Sequence, residues 1–141
     1  MWSTEHNQAF RTAKEMLTSN PVLAFFDSRK PTQLCTDASK QGLGFILQQQ
    51  DGNNSVLIQA GSRFLSDPKS RYAVIELELL AVAWAITNTN CKLSYPTLYF
   101  AVITDHHPLI PILNSHQLDE IEDPRLQHLE TRVMAYNFTA E

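Results

Sequence analysis

The sequence predicts an α/β domain in which a mixed sheet carries helices on its faces. Three strand patterns run from Thr32 to Phe64, joined by short polar links. After them, helix and strand patterns alternate to the end of the chain. At 141 residues the chain has one domain's worth of length and needs neither disulfide nor metal to hold a core. A composition of 43% hydrophobic and 18% charged residues excludes a disordered or collagenous chain. Eleven basic against fifteen acidic residues give a net charge of −4. That balance argues against a surface devoted wholly to nucleic acid, while a local basic patch stays open. Cys35 and Cys91 are too few for a disulfide framework or a thiolate zinc site. Both are read as reduced. With no signal-peptide pattern and no bilayer-length apolar run, the expectation is an intracellular domain with no membrane partner.

The first element is a helix from Ser3 to Thr18, with Phe10, Ala13, Met16 and Leu17 at helical spacing and Ser3 or Thr4 as its cap. Asn20-Pro21 stops it, because the residue before a proline is pushed out of the α region. The apolar run from Val22 to Phe26 follows, then a turn through Asp27 to Pro31. Thr32 to Thr36 forms the first strand and delivers Asp37 at its end. Leu43, Phe45 and Leu47 alternate with Gly44, Ile46 and Gln48, which is the period of a second strand. Gln50 to Asn54 turns the chain by composition, and Val56 to Phe64 returns as a third strand. Short links favour an antiparallel meander.

Ser66-Asp67-Pro68 signals a helix start, and a long helix is expected from Lys69 to Thr87. Its stretch from Leu79 to Ile86 is apolar all round, so the helix should be buried on most sides. Pro96 then opens a strand from Thr97 to Thr104, ending in Asp105. His106-His107-Pro108 begins a short helix whose apolar face is Leu109, Ile110, Ile112 and Leu113. A polar, acidic loop from Asn114 to Asp123 leads to a helix from Pro124 to Ala135. Tyr136 to Ala140 closes the chain as a strand.

This order lets the fourth strand lie parallel to the first through a crossover helix. Asp37 and Asp105 would then emerge at one sheet edge, where ligands of such sheets tend to sit. Glu78 lies in the apolar connecting helix, where a carboxylate is costly without compensation. Three converging acids suit Mg²⁺ or Mn²⁺, and two such ions could activate water and stabilise a leaving 3′-oxygen. Spacing alone fits equally well a turn aspartate, a helix cap and an exposed helix glutamate.

Thr36-Asp37-Ala38-Ser39, Gly42 to Gln49 and Ser62-Arg63-Phe64-Leu65 together resemble the ribonuclease H domain of reverse transcriptases from gypsy-like LTR retrotransposons and their host-domesticated relatives. Tyr72, Glu78-Leu79-Leu80-Ala81-Val82 and Thr104-Asp105-His106 continue the resemblance. It implies a ribonuclease H-like fold: a mixed five-stranded sheet, antiparallel through strands 1–3 and parallel through 1-4-5. It implies endonucleolytic cleavage of the RNA strand of RNA–DNA hybrids, with Asp37, Glu78 and Asp105 as catalytic residues and ligands of a two-ion Mg²⁺ or Mn²⁺ site. Ser39 and Arg63 are the implied substrate contacts. Residues 1–30 resemble the link from an upstream reverse transcriptase polymerase domain, and residues 31–141 the ribonuclease H-like domain. The family normally carries a fourth acid after the last strand, so the expectation is a domain cut before its C-terminal acidic segment.

Two other readings compete. One is a catalytically weak or inactive connection-type module of a domesticated protein. The other is an integrase-like nuclease, a class that places its glutamate after the second aspartate, whereas Glu78 precedes Asp105. Glu76 competes with Glu78 but lies about 200° away around the helix, and is read as a solvated residue. Asp119, Glu120, Glu122 and Asp123 belong to an earlier loop and are not assigned a role. His106-His107 is read as a helix-start pair with one ring in solvent, and His116 and His128 have no metal spacing. Lys40, Lys69 and Arg71 join Arg63 as candidate phosphate contacts or plain surface. Cys35 and Trp84 are read as core.

Overall fold

The computed structural model describes residues 2–18, 23–94, 98–115 and 124–141. Expectations placed on Asn20-Pro21, Pro96, His116, the acidic loop through Asp123 and the Cys91 thiol fall outside the described residues. Helix α1 (Thr4–Thr18) comes first. Ser3 caps it: its carbonyl accepts the Asn7 N–H at 3.1 Å and its Oγ accepts from the His6 N–H at 3.4 Å. Strands β1 (Thr32–Ala38), β2 (Gly42–Asp51) and β3 (Asn54–Phe64) follow as the antiparallel meander. Gly52 holds φ +61° in the β2–β3 turn, a conformation that glycine adopts without steric cost. A bulge opposite Leu47/Gln48 leaves Ile58 without a ladder partner, and Ile58 is buried.

Helix α2 (Val74–Leu93) crosses from β3 to β4 (Phe100–Ile103). The short helix α3 (Leu109–Ser115), α4 (Pro124–Val133) and β5 (Phe138–Ala140) complete the chain. The sheet order is β3-β2-β1-β4-β5, with β4 parallel to both β1 and β5. This is the mixed five-stranded sheet that the sequence predicts. Its helix-covered face buries Leu34, Leu47 and Val102 completely against Leu79, Val82 and Ile86 of α2. Burying each such side chain is worth about 1.5–3 kcal/mol. Gly61 is needed beneath this layer, because a Cβ there would come within 2.4 Å of the Phe45 ring. Gly61→Ala should therefore destabilise the fold by about 1–3 kcal/mol, read by denaturant unfolding.

The structure corrects the bounds of the long helix and the place of Cys35. The long helix does not start at Lys69: residues Lys69–Arg71 make a separate 3-10 turn, Tyr72 is extended at ψ 151°, and α2 begins at Val74. It also passes Thr87, because Thr87, Asn88 and Thr89 each bond back to the carbonyl four residues earlier instead of breaking the helix. Cys35, expected in the core, is half-buried on the opposite face of the sheet. It lines an open groove of about 720 Å³ with Ile46, Ala60 and Ser62. Trp84 is half-buried and packs on the core through an edge contact with Phe45 at 5.3 Å.

Candidate metal centre

The parallel register of β1 and β4 places the two aspartates. Cys35 pairs with Ile103, and Asp37 and Asp105 each lie two residues further on. The register ends at that pair, so Asp105 follows just past the end of β4, beside the strand end that carries Asp37. The ladder to β5 continues one step past β4, the Thr104 N–H donating to the Glu141 carbonyl, and the chain then turns as Thr104 Oγ1 accepts from the His106 N–H. Asp105 is thereby left exposed at the strand end, beside exposed Asp37.

Glu78 reaches the same point from above. It is the fifth residue of α2 and is 4% exposed. Carboxylate oxygens of Asp37, Glu78 and Asp105 all lie within 4.8 Å of one another. Burial raises the Glu78 pKa to about 7, Asp105 and Asp37 add to the rise, and the Ala38 N–H works against it. Glu78 Oε2 is buried with no hydrogen-bond partner. A buried carboxylate with one unpartnered oxygen, converging with two more carboxylates, is the donor set of a hard divalent cation, so the residues fit Mg²⁺ or Mn²⁺. Among the described residues this is the one group of three or more metal-ligating side chains that converge.

The structure separates the two acids of α2. Glu76, expected on a solvated face, is 6% exposed and works inside the fold. Its Oε2 accepts the Ala73 N–H at 2.7 Å, while Oε1 meets Arg125 of α4 at 3.4 Å. Ala73 is the N-cap, since its carbonyl accepts the first helical bond from Leu77. The pair is half of a capping box, in which the third helical residue reaches back but the cap lacks a hydroxyl. Ala73→Ser should complete it, adding about 1 kcal/mol and roughly 3 °C to the melting temperature.

The remaining candidates are distributed elsewhere. Ser39 closes the β1–β2 turn, its Oγ accepting from the N–H groups of Gln41 and Gly42. Gly42 is required there, because a Cβ would sit 2.8 Å from the Arg63 carbonyl. Arg63 lies two strands from the acids, its guanidinium 5.1 Å from the centre of the Trp84 ring. Its Nε is buried without an acceptor. His106 is half-buried and His107 exposed, and neither joins the acidic group. Lys40 and Arg71 are exposed surface residues. Lys69 lines a groove against α4, a position the sequence pattern does not reveal.

Comparison with known proteins places this geometry. Residues 2–98 match the family described as RNase H-like domain found in reverse transcriptase. The chain is 35% identical over 130 residues to the retrovirus-related Pol polyprotein from transposon opus of Drosophila melanogaster, covering 92% of this chain and 12% of that protein. It is 39% identical over 107 residues to the Pol polyprotein from transposon gypsy of the same fly, covering 75% of this chain and 10% of that protein. The chain thus spans about a tenth of the length of these relatives. Its fold is similar to the foamy viral protease-reverse transcriptase dRH in complex with double-stranded DNA, with TM-score 0.70, 14% identity and coverage of 100% of this chain and 26% of that one. It is also similar to LC11-RNase H1 in complex with RNA/DNA hybrid, with TM-score 0.57, 12% identity and coverage of 78% and 83%. Among the described residues no helix is long and apolar enough to cross a membrane. With the mixed sheet and the match over residues 2–98, the chain belongs to the RNase H-like domain family of reverse transcriptases, as found in retrotransposon Pol polyproteins.

Proposed function

We propose that this domain hydrolyses the RNA strand of RNA–DNA hybrids within a retroelement polyprotein, using Asp37, Glu78 and Asp105 to hold two Mg²⁺ or Mn²⁺ ions. The observation that carries this reading is the buried Glu78 carboxylate, one oxygen of which has no hydrogen-bond partner, within 4.8 Å of two exposed aspartates. Bound divalent ions supply an activated water and stabilise the leaving 3′-oxygen. The chain's own part is positional. Parallel β1 and β4 bring Asp37 and Asp105 to the same sheet edge, and the Glu76–Ala73 cap fixes the first turn of α2 above them. Exposed aspartates leave one side of the site open to a phosphodiester, while the apolar neighbours of Glu78 keep water from its inner side.

Residues 1–30 would serve as the link to an upstream polymerase domain, which supplies part of the affinity that a net charge of −4 withholds. A labelled RNA–DNA hybrid incubated with Mn²⁺ or Mg²⁺ and resolved on a gel tests the reading. The expected products are RNA fragments with 3′-hydroxyl and 5′-phosphate ends, with single-stranded RNA and duplex DNA left intact. Cleavage should be weak in this chain and ready in a version extended through the C-terminal acidic segment; a hybrid that stays whole with the extended version at every metal concentration would favour the connection-type module. The same centre should raise the melting temperature when Mn²⁺ is added, because the cation removes like-charge repulsion in the folded state alone. An unchanged melting curve across the Mn²⁺ titration would count against a metal site.

A further inference from the structure

The geometry points to Asn114 as a positioning residue for the metal centre: its side-chain amide closes a ring of backbone that holds Asp105 in place. This inference rests on the metal-dependent reading above and names a residue that the reading does not use. The sequence pattern puts Asn114 at the start of a polar loop, whereas the structure puts it in the last turn of α3.

There the amide spans both polar groups of one residue of β5. Asn114 Oδ1 accepts the Ala140 N–H at 2.8 Å, and Nδ2 donates to the Ala140 carbonyl at 2.9 Å. A residue on a neighbouring antiparallel strand would offer the same double exchange, so one side chain stands in for a rung of a further strand. β5 is the edge of the sheet and only three residues long. Ala140 is 2% exposed, so its outward N–H and carbonyl depend on that amide for partners.

The bonds beyond Ala140 lead to the acidic centre. The next residue, Glu141, donates its N–H to the Val102 carbonyl at 2.9 Å and accepts from the Thr104 N–H at 3.1 Å. Thr104 immediately precedes Asp105, and its Oγ1 accepts the His106 N–H on the far side. From there the chain enters α3, whose first residues bond back to the His106 and His107 carbonyls. Asp105 thus lies on a closed circuit that runs through α3, the Asn114 amide, the end of β5 and Thr104.

The two aspartates differ in what else holds them. Asp37 sits within the β1–β2 ladder, paired with Gly44. Asp105 lies beyond the last β1–β4 pair, Cys35 and Ile103. Its side chain is exposed, so core packing does not set its place. The lateral hold on this stretch is the Thr104–Glu141 bond, and Asn114 fixes that part of β5 from outside. A metal ligand needs its geometry held to within about 0.5 Å. Partners one step behind a ligand commonly change metal affinity by about 10–100-fold when removed.

The test measures Mn²⁺ binding rather than cleavage. The free-ion signal in electron paramagnetic resonance is followed as Mn²⁺ is titrated into wild type, Asn114→Ala, Asn114→Gln and Gly61→Ala. Asp37→Asn sets the background from other surface acids. Asn114→Ala should bind Mn²⁺ about tenfold more weakly. Asn114 is itself exposed, so its replacement opens no core cavity, and the melting temperature in EDTA should fall by only about 5 °C. Asn114→Gln carries the same amide at an exposed helix end and should recover most of the affinity. Gly61→Ala is destabilised from β3 and should keep the wild-type affinity. Hydrogen exchange should quicken at the Thr104 N–H of Asn114→Ala by a larger factor than at the Leu47 N–H of β2. Unchanged Mn²⁺ affinity in Asn114→Ala, an equal loss in Gly61→Ala, or Thr104 exchange that merely follows Leu47 would overturn the proposal. So would an Asn114→Gln variant no better than alanine. A wild type that binds no Mn²⁺ would sink the metal-dependent reading and the role of Asn114 with it. Mn²⁺ binding indifferent to Asn114 would sink this inference alone.

Discussion

Asp37→Asn should lower metal-dependent cleavage of the hybrid by on the order of 10³-fold, equivalent to about 4 kcal/mol of barrier. Asp37 ends β1 and lies within 4.8 Å of both Asp105, just past β4, and Glu78, so it is close to both other ligands of the centre. Asparagine keeps the size and one carbonyl oxygen but removes the charge that holds a hard cation. The fold should be unaffected, because Asp37 is exposed and its side chain packs nothing in the core. The assay is the labelled hybrid on a gel, with circular dichroism to verify the fold. Cleavage by Asp37→Asn at the wild-type rate would end the enzymatic reading. Glu76→Gln separates the two acids of α2: it should leave metal-induced stabilisation in place while costing about 1 kcal/mol of stability, because Glu76 holds the helix cap.

Glu78→Gln should stabilise the metal-free protein at pH 7.5, the opposite of what removing a buried hydrogen-bonded acid normally does. The Glu78 pKa stands near 7 in the folded chain against an ordinary 4.5. Between those values the folded chain holds a proton that the unfolded chain has released. Stability is therefore fully present below pH 4.5, falls as pH rises through the window, and levels off above pH 7. The whole shift corresponds to about 3 kcal/mol. Glutamine carries no charge to desolvate, so its melting temperature should exceed that of the wild type by on the order of 10 °C at pH 7.5 and match it near pH 4. Adding Mn²⁺ should reverse the ranking, since only the carboxylate binds the ion. Melting curves at pH 4 and 7.5, with EDTA or Mn²⁺, decide the matter. A pH-independent difference between wild type and variant would show that Glu78 is not strained by its neighbours.

These effects express a division of labour within the fold. Most of the core is ordinary aliphatic packing against α2, and it supplies the stability that the acidic centre spends in the absence of metal. A carboxylate in the core-facing part of a helix is tolerated only where the rest of the layer is well packed. Leu77, Leu79, Leu80 and Ala81 around Glu78 are all nearly inaccessible.

The sequence by itself determined the order of elements, because the rules involved are local. Alternation marked β2, the Asp51-Gly52 pair marked its turn, and the apolar run through Ile86 marked α2. Asp37 and Asp105 were legible for the same reason, as acids at the ends of strands. What lies on which side of α2 was not. A helix apolar all round has no preferred face, so its pattern alone cannot say whether Glu76 or Glu78 meets the sheet, and only the resemblance singled out Glu78. Packing decided it, turning Glu78 toward Asp37 and Asp105 and Glu76 toward Arg125. Cys35 was misread because strand alternation identifies two faces but not which one the helices cover. The groove that Lys69 lines against α4 has its cations on residues more than fifty positions apart, Lys69 on the 3-10 turn and Arg125 and Arg132 on α4. Charges that far apart become neighbours only when α4 docks on α2, and that is a long-range event no local pattern encodes.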